Sequence, residues 1–375
     1  MLRHVANVYR LGVKELWALW RDPMMMVLTV WIFTGMVWVA ATSAPETLHL
    51  APIAIVDEDG SALSARIASA FYPPYFAPPA RLGLAEVDPA LDAGDFTFVL
   101  DVPPGFQRDV LAGRSPRLQL NIDATRMTQA YAGDGLVQAI VMGEVDEFVR
   151  HHRGLPPAPI DLALRARFNP AMEQSWFRSL MELVGNVTML SFLLTGAALI
   201  REREHGTVEH LLVMPVTPTE IMLGKVWSMG AVVLLAAALS LTVVVRGALR
   251  VPLEGSVALF LVGAALHLFA TTSMGIFMAT LARTMPQFVL LLMLVLLPLQ
   301  MLSGEMTPPE SMPAAVRYAM LAAPTTHIIE LSQAILFRGA GLDVVWTSFA
   351  ALAGIGAVFF LVSLARFRRA IGQLA

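Results

Sequence analysis

The polar and charged groups that could do chemistry gather in one stretch, REREHGTVEHLLVMPVTPTEIMLGK, residues 201–225, set between two of the most apolar runs of the chain. Catalysis is the first possibility to weigh. Serine, histidine and aspartate occur elsewhere without a G-x-S-x-G elbow, and the chain has no cysteine, so no serine or thiol nucleophile is signalled. Its only Gly-Lys pair, Gly224–Lys225, is followed by Val226 and has Thr219 where a phosphate-binding loop needs its first glycine. His151 and His152 are adjacent, a spacing that does not bring two imidazoles to one metal. What the stretch does carry is helix punctuation. Gly206 makes a corner, Thr207 is an N-cap for a short helix Val208–Met214 with Glu209 near its positive end, and Pro215 closes that helix. Thr217–Glu220 is then a capping box with Pro218 at the first helical position of the next helix. Val208, Leu211 and Leu212 share one face of the short helix, a shape suited to filling a groove on a partner or to lying flat under a membrane.

The flanking elements follow from composition. A mean hydropathy of +0.64, with 56% hydrophobic and 15% charged residues, exceeds what one water-soluble core can bury. Six spans are expected: Met24–Ala41, Leu180–Ile200, Val226–Val245, Ser256–Leu281, Phe288–Leu302 (starting near Thr284) and Val344–Leu364. Arg3, Arg10, Lys14, Arg21, Arg201, Arg203, Lys225, Arg283, Arg366, Arg368 and Arg369 fall on one side. Only Arg246, Arg250, Arg317 and Arg338 lie in the short loops opposite, so both termini are expected inside. Residues 1–22 read as an amphipathic interfacial helix, which argues for a retained span at 23–43 rather than a cleaved signal peptide. No basic stripe with interleaved aromatics signals nucleic acid.

The more polar region 44–175 is expected to fold outside as an α/β domain. Its strands are Ile53–Val56, Phe96–Leu100 and Leu118–Asp123, and its helices Ser61–Phe71, Phe106–Gly113 and Met127–Arg150, with VPPG at 102–105 as a turn. YPPYFAPPAR and LPPAPID read as linkers. Residues 176–375 hold the remaining spans, and residues 303–343 are expected to form a helical loop outside. Asn186, His267 and Gln300 are polar groups inside spans. They are candidates for a translocation path, or for hydrogen bonds across helix interfaces. The expected fold class is therefore an all-α polytopic membrane domain of six transmembrane helices, with an α/β domain inserted between helices 1 and 2.

The stretch EREHGTVEHLLVMPVTPTEIMLGK resembles the cytoplasmic segment of ABC type-2 transporter permeases, through Glu204, Gly206, Thr207, Glu209, Leu211, Leu212, Pro215, Gly224 and Lys225. VDEDGSALSARI, VPPGFQRDVLAG, DATRMTQA, RFNP and SGEMTPPESMP resemble the drug-exporting subgroup with a large periplasmic domain. The resemblance implies a permease subunit in a bacterial inner membrane that moves an amphiphilic or drug-like substrate outward. Those residues, with Glu202, would couple it to a separate ATPase that holds ATP and Mg, this chain binding no cofactor or metal itself. A second permease, identical or paralogous, would pair with it, and a periplasmic adaptor and an outer-membrane channel are further expected partners. Two other classes compete. A secondary, ion-coupled transporter would place carboxylates deep in its spans, where Glu182 is the nearest example. A membrane sensor would need a cytoplasmic signalling domain, for which the cytoplasmic segments are too short.

Overall fold

The computed structural model describes residues 2–43, 48, 50–153, 167–169, 173–204, 215–304, 307 and 309–372. It divides into two compact units, Met1–Ala44 with Ala166–Ala375, and Pro45–Arg165.

The first unit is helical. Helix α1 spans Leu2–Trp20. Asp22 then caps α2, Pro23–Thr42, its carboxylate accepting from Met25 N at 3.1 Å, with Pro23 at the first helical position. The other long apolar helices are α7 (Gln174–Glu204), α8 (Pro218–Ala248), α9 (Val257–Leu281) and α13 (Leu342–Gly372); the labels α3–α6 belong to the second unit. Among the described residues, five helices are thus long and apolar enough to cross a bilayer. The sixth expected span is α10, Met285–Met301. At 17 residues with Pro298 inside it reaches roughly 25 Å at 1.5 Å per residue. Helix α7 is the hub: 89% of its apolar stretch is buried, against 28% for α2 and α13, which leave most of theirs uncovered. Residues 309–337 carry α11 (Ala314–Met320) and α12 (Pro324–Ser332), and α12 buries Ile328, Ile329 and Leu331 among the long helices.

Side-chain hydrogen bonds tie the helices of this bundle together. Helix α2 loosens into a π-turn at Ile32–Met36. Asn186 Nδ2 donates to Ile32 O at 3.1 Å, and Ser240 Oγ, where α8 itself turns into a π-segment, donates to Phe33 O. His267 on α9 is fully buried with Nε2 2.8 Å from Thr188 Oγ1, and Ser191 Oγ donates to Thr271 Oγ1 at 2.7 Å. These pairs tie α7 to α9 where no water competes for the same groups.

The second unit is a four-stranded sheet in the order β2-β1-β3-β4. Strands β1 (Ile53–Asp57), β2 (Ala80–Arg81) and β3 (Phe98–Val102) run parallel, and β4 (Gln119–Ile122) is antiparallel to β3, pairing Phe98 with Ile122 and Asp101 with Gln119. The near-continuous apolar runs of β1 and β3 are those of strands covered on both faces. One face packs Ile53, Ile55, Phe98 and Leu100 under α3 (Ala62–Ser69), α5 (Phe106–Leu111) and α6 (Met127–Arg153); the other packs Ala54, Val56 and Val99 under α4 (Val87–Asp92). Gly105 closes the expected turn with φ +79°, a conformation that disfavours a Cβ. YPPYFAPPAR is not a linker. Tyr72–Arg81 carries the fully buried Phe76, which meets Phe71 and Phe98 edge to face, and ends in β2. LPPAPID lies outside the described residues.

Candidate functional site

The two ends of the 201–225 stretch are built into a meeting point of helix ends. Helix α7 finishes with Arg201, Glu202, Arg203 and Glu204, and α8 begins at Pro218 behind the N-cap Thr217. The expected capping box is formed: Thr217 Oγ1 accepts from Glu220 N, and the Glu220 carboxylate accepts from Thr217 N. Gly206, Thr207, Glu209, Leu211 and Leu212 lie outside the described residues; Pro215, just before α8, is exposed.

Glu202 and Lys225 form the centre. Lys225 Nζ lies 2.9 Å from Glu15 Oε1 of α1 and 2.8 Å from Glu202 Oε2, and Lys14 Nζ lies 2.6 Å from Glu202 Oε1 and 3.2 Å from Glu15 Oε1. Lys225 is 2% exposed, Glu15 6% and Glu202 8%. Two carboxylates and two ammonium groups thus neutralise one another, all but the half-exposed Lys14 nearly out of water, and such pairing is the condition under which buried charges persist. Burial of the Lys14 ammonium, which alone would lower its pKa, is outweighed by the carboxylates of Glu202 and Glu15, and Lys14 is held above the ordinary lysine value.

Further bonds radiate from this cluster. His4 Nδ1 and Asn7 Nδ2 reach Glu220 Oε1 at 2.9 and 3.1 Å. Arg201 pairs with Asp22 at 2.8 Å, and Arg203 Nη1 donates to the carbonyl of Ala282, the residue that caps the end of α9, at 2.8 Å. Glu204 Oε1 accepts from Met285 N, the first amide of α10, at 2.9 Å, a carboxylate at the positive end of a helix. Arg368 of α13 donates to Thr219 Oγ1 at 3.2 Å. Six of the chain's helix ends and α1 therefore share one polar network. Helix α1 lies close along α8. A Cβ on Gly12 would sit 2.2 Å from the Trp227 ring, whose Nε1 donates to Val8 O at 3.1 Å and whose face stacks on Tyr9. Val5, Tyr9, Trp17 and Trp20 of α1 remain exposed.

The expected polar path residues are not gathered. Asn186 and His267 are buried and engaged in bonds between helices, and Gln300 sits half-buried near the end of α10, on another part of the bundle. Among the described residues no cluster of histidine and carboxylates suits a metal ion. Sequence reasoning missed His4, Asn7, Lys14 and Glu15 as members of the network. One signal was available: Glu15 interrupts the basic and apolar pattern of α1, and an acidic group there needs a cation.

Comparison with known proteins bears on this arrangement. A profile described as "ABC-2 family transporter protein" matches residues 23–365. The chain is 55% identical over 374 residues to "Inner membrane transport permease YhhJ" of Escherichia coli (strain K12), covering 100% of each chain. It is 27% identical over 369 residues to "Probable multidrug ABC transporter permease YbhR" of the same organism, covering 96% of this chain and 97% of that one. To "ABC transporter G family member 20" of Dictyostelium discoideum it is 25% identical over 187 residues, covering 48% of this chain and 25% of that protein.

Proposed function

The chain belongs to the ABC-2 family of transporter proteins, and from that premise we propose that it is the membrane-spanning permease subunit of an ATP-driven exporter of amphiphilic or drug-like compounds. The observation that carries the reading is the shared polar network. The two ends of the 201–225 stretch are fixed to α1 through Glu202, Glu220 and Lys225, and to the ends of α2, α9, α10 and α13 through Arg201, Arg203, Glu204 and Thr219. A push on that stretch therefore reaches the whole bundle rather than being absorbed by a slack loop. The subunit would receive the push from a separate ATPase that holds ATP and Mg, on the segment that contains Thr207, Glu209, Leu211, Leu212 and Pro215, and would work beside a second permease copy or paralogue. In this reading the membrane is the bacterial inner membrane, α10 completes six spans, both termini are cytoplasmic and the sheet unit is periplasmic. An adaptor and an outer-membrane channel would complete the path.

The coupling role is tested by Leu211→Asp. A charge placed in an apolar contact costs several kcal/mol of desolvation on docking. Insertion of the permease should be normal, while ATPase co-purification and drug export fall at least tenfold; export at the wild-type rate with normal expression would refute the role.

The topology is tested with single cysteines, since the chain has none of its own. Ala124 and Thr284 are both exposed, one in the sheet unit and one between α9 and α10. In cells with a permeabilised outer membrane, an impermeant thiol reagent should label Ala124→Cys and spare Thr284→Cys. Labelling of both, or of Thr284→Cys alone, would overturn the orientation.

A further inference from the structure

In the sheet unit, β4 pairs on one side only, and its apolar side chains are incompletely covered: Leu120 and Ile122 are half-buried, whereas Phe98 and Leu100 on the adjacent strand are closed off. The gap between β4 and α6 is a cavity of about 740 Å³, and Leu118, Leu120, Ile122, Val137, Val141 and Val145 form its apolar walls. A cavity of this size with few polar groups is in the range that holds one drug-sized molecule, for which about 300–1,000 Å³ is typical. Met142, 72% exposed at its edge, adds a flexible and polarisable side chain.

Its polar groups distinguish among possible occupants. Arg114 is held in an ion pair by Asp109, a carboxylate that it shares with Arg108. Asp134 Oδ1 accepts from the uncharged amide of Gln138 at 2.9 Å, and among the described residues Asp134 makes no ion pair. Among the described residues, the lip of an apolar cavity therefore carries one carboxylate without an ion-pair partner. We propose that this cavity binds an apolar organic cation, its hydrocarbon body between β4 and α6 and its ammonium or iminium group beside Asp134. As a step in drug export the site rests on the permease reading above; as a binding site it is measured without any ATPase or transport, so either can fail alone.

The test uses the full-length chain in lipid nanodiscs, with empty nanodiscs as background. The probes are rhodamine 6G, an apolar cation, and 8-anilinonaphthalene-1-sulfonate, an apolar anion. Rhodamine 6G should bind saturably by fluorescence anisotropy and weaken about tenfold in Asp134→Asn, the loss of one charge-assisted contact. As a second readout, modification of the Met142→Cys variant by a thiol reagent should be slowed by rhodamine 6G and not by the anion. Unchanged rhodamine 6G affinity in Asp134→Asn, or equal protection by the anion, overturns the proposal. So does a disulfide forming between two copies of Met142→Cys without any probe, since a second copy would then cover the cavity.

Discussion

Replacing Lys225 by methionine should cost about 3–5 kcal/mol, the range for removing one partner of a buried ion pair. The loss is large because Lys225 is the buried one of two ammonium groups that balance two carboxylates, Glu15 Oε1 at 2.9 Å and Glu202 Oε2 at 2.8 Å, both nearly excluded from solvent. Lys14, half exposed at 2.6 Å from Glu202 Oε1 and 3.2 Å from Glu15 Oε1, then has to balance two negative charges alone. Against a typical total stability of about 5–15 kcal/mol, such a loss removes a large share of the margin. Yield and melting temperature of the purified Lys225→Met variant check this. Adding Glu202→Gln to it should recover part of the lost stability, because a neutral amide is cheaper to bury than an unpaired carboxylate. A wild-type melting temperature in the single variant would show that water enters the cluster.

The second large effect is expected in the sheet unit. Phe98→Ala removes a fully buried ring that meets Phe76 edge to face. A cavity of this kind costs about 3–5 kcal/mol. The sheet unit has its own apolar core, made of residues between Leu48 and Val149, so the damage should stay inside it. Limited proteolysis of the variant should cut between residues 50 and 150 while the two chain segments of the helical unit, one on each side of the cuts, stay protected. Equal resistance of variant and wild type would contradict the packing around Phe98.

The same two regions show what the sequence discloses and what it withholds. Strict alternation in LQLNID predicts β4, and the apolar runs IAIV and FTFVL predict β1 and β3, because each strand states its own environment locally. In YPPYFAPPAR the four prolines dominate any local reading, and nothing nearby reveals that Phe76 is a core residue. Strand β2, two residues long, has no period to detect. The network around Lys225 was half legible. Thr217–Glu220 announces its capping box within four residues, but Glu15 and Lys225 stand 210 positions apart and Lys14 and Glu202 stand 188 apart. Only the packing of α1 along α8 brings them together. The π-turn at Ile32–Met36 left no mark in IFTGM, since the extra residue is accommodated by Asn186 and Ser240 from distant helices. Asn186 is a polar residue inside an apolar run, and only the fold shows the carbonyl that it serves.

The distance between Glu15 and Lys225 also has a meaning in time. A ribosome working at about 5–20 residues per second adds the intervening 210 positions in roughly 10–40 seconds. Throughout that interval α1 is already made with Lys14 3.2 Å from its glutamate, while the buried ammonium of Lys225 does not yet exist. Glu15 must wait in contact with water, because a carboxylate balanced only by a half-exposed lysine is costly to bury. Helix α1 is therefore synthesised well before it can dock. Its closure, with Gly12 against Trp227 and Glu15 against Lys225, reports that α8 is present, so an earlier part of the nascent protein serves as the latch on a later one.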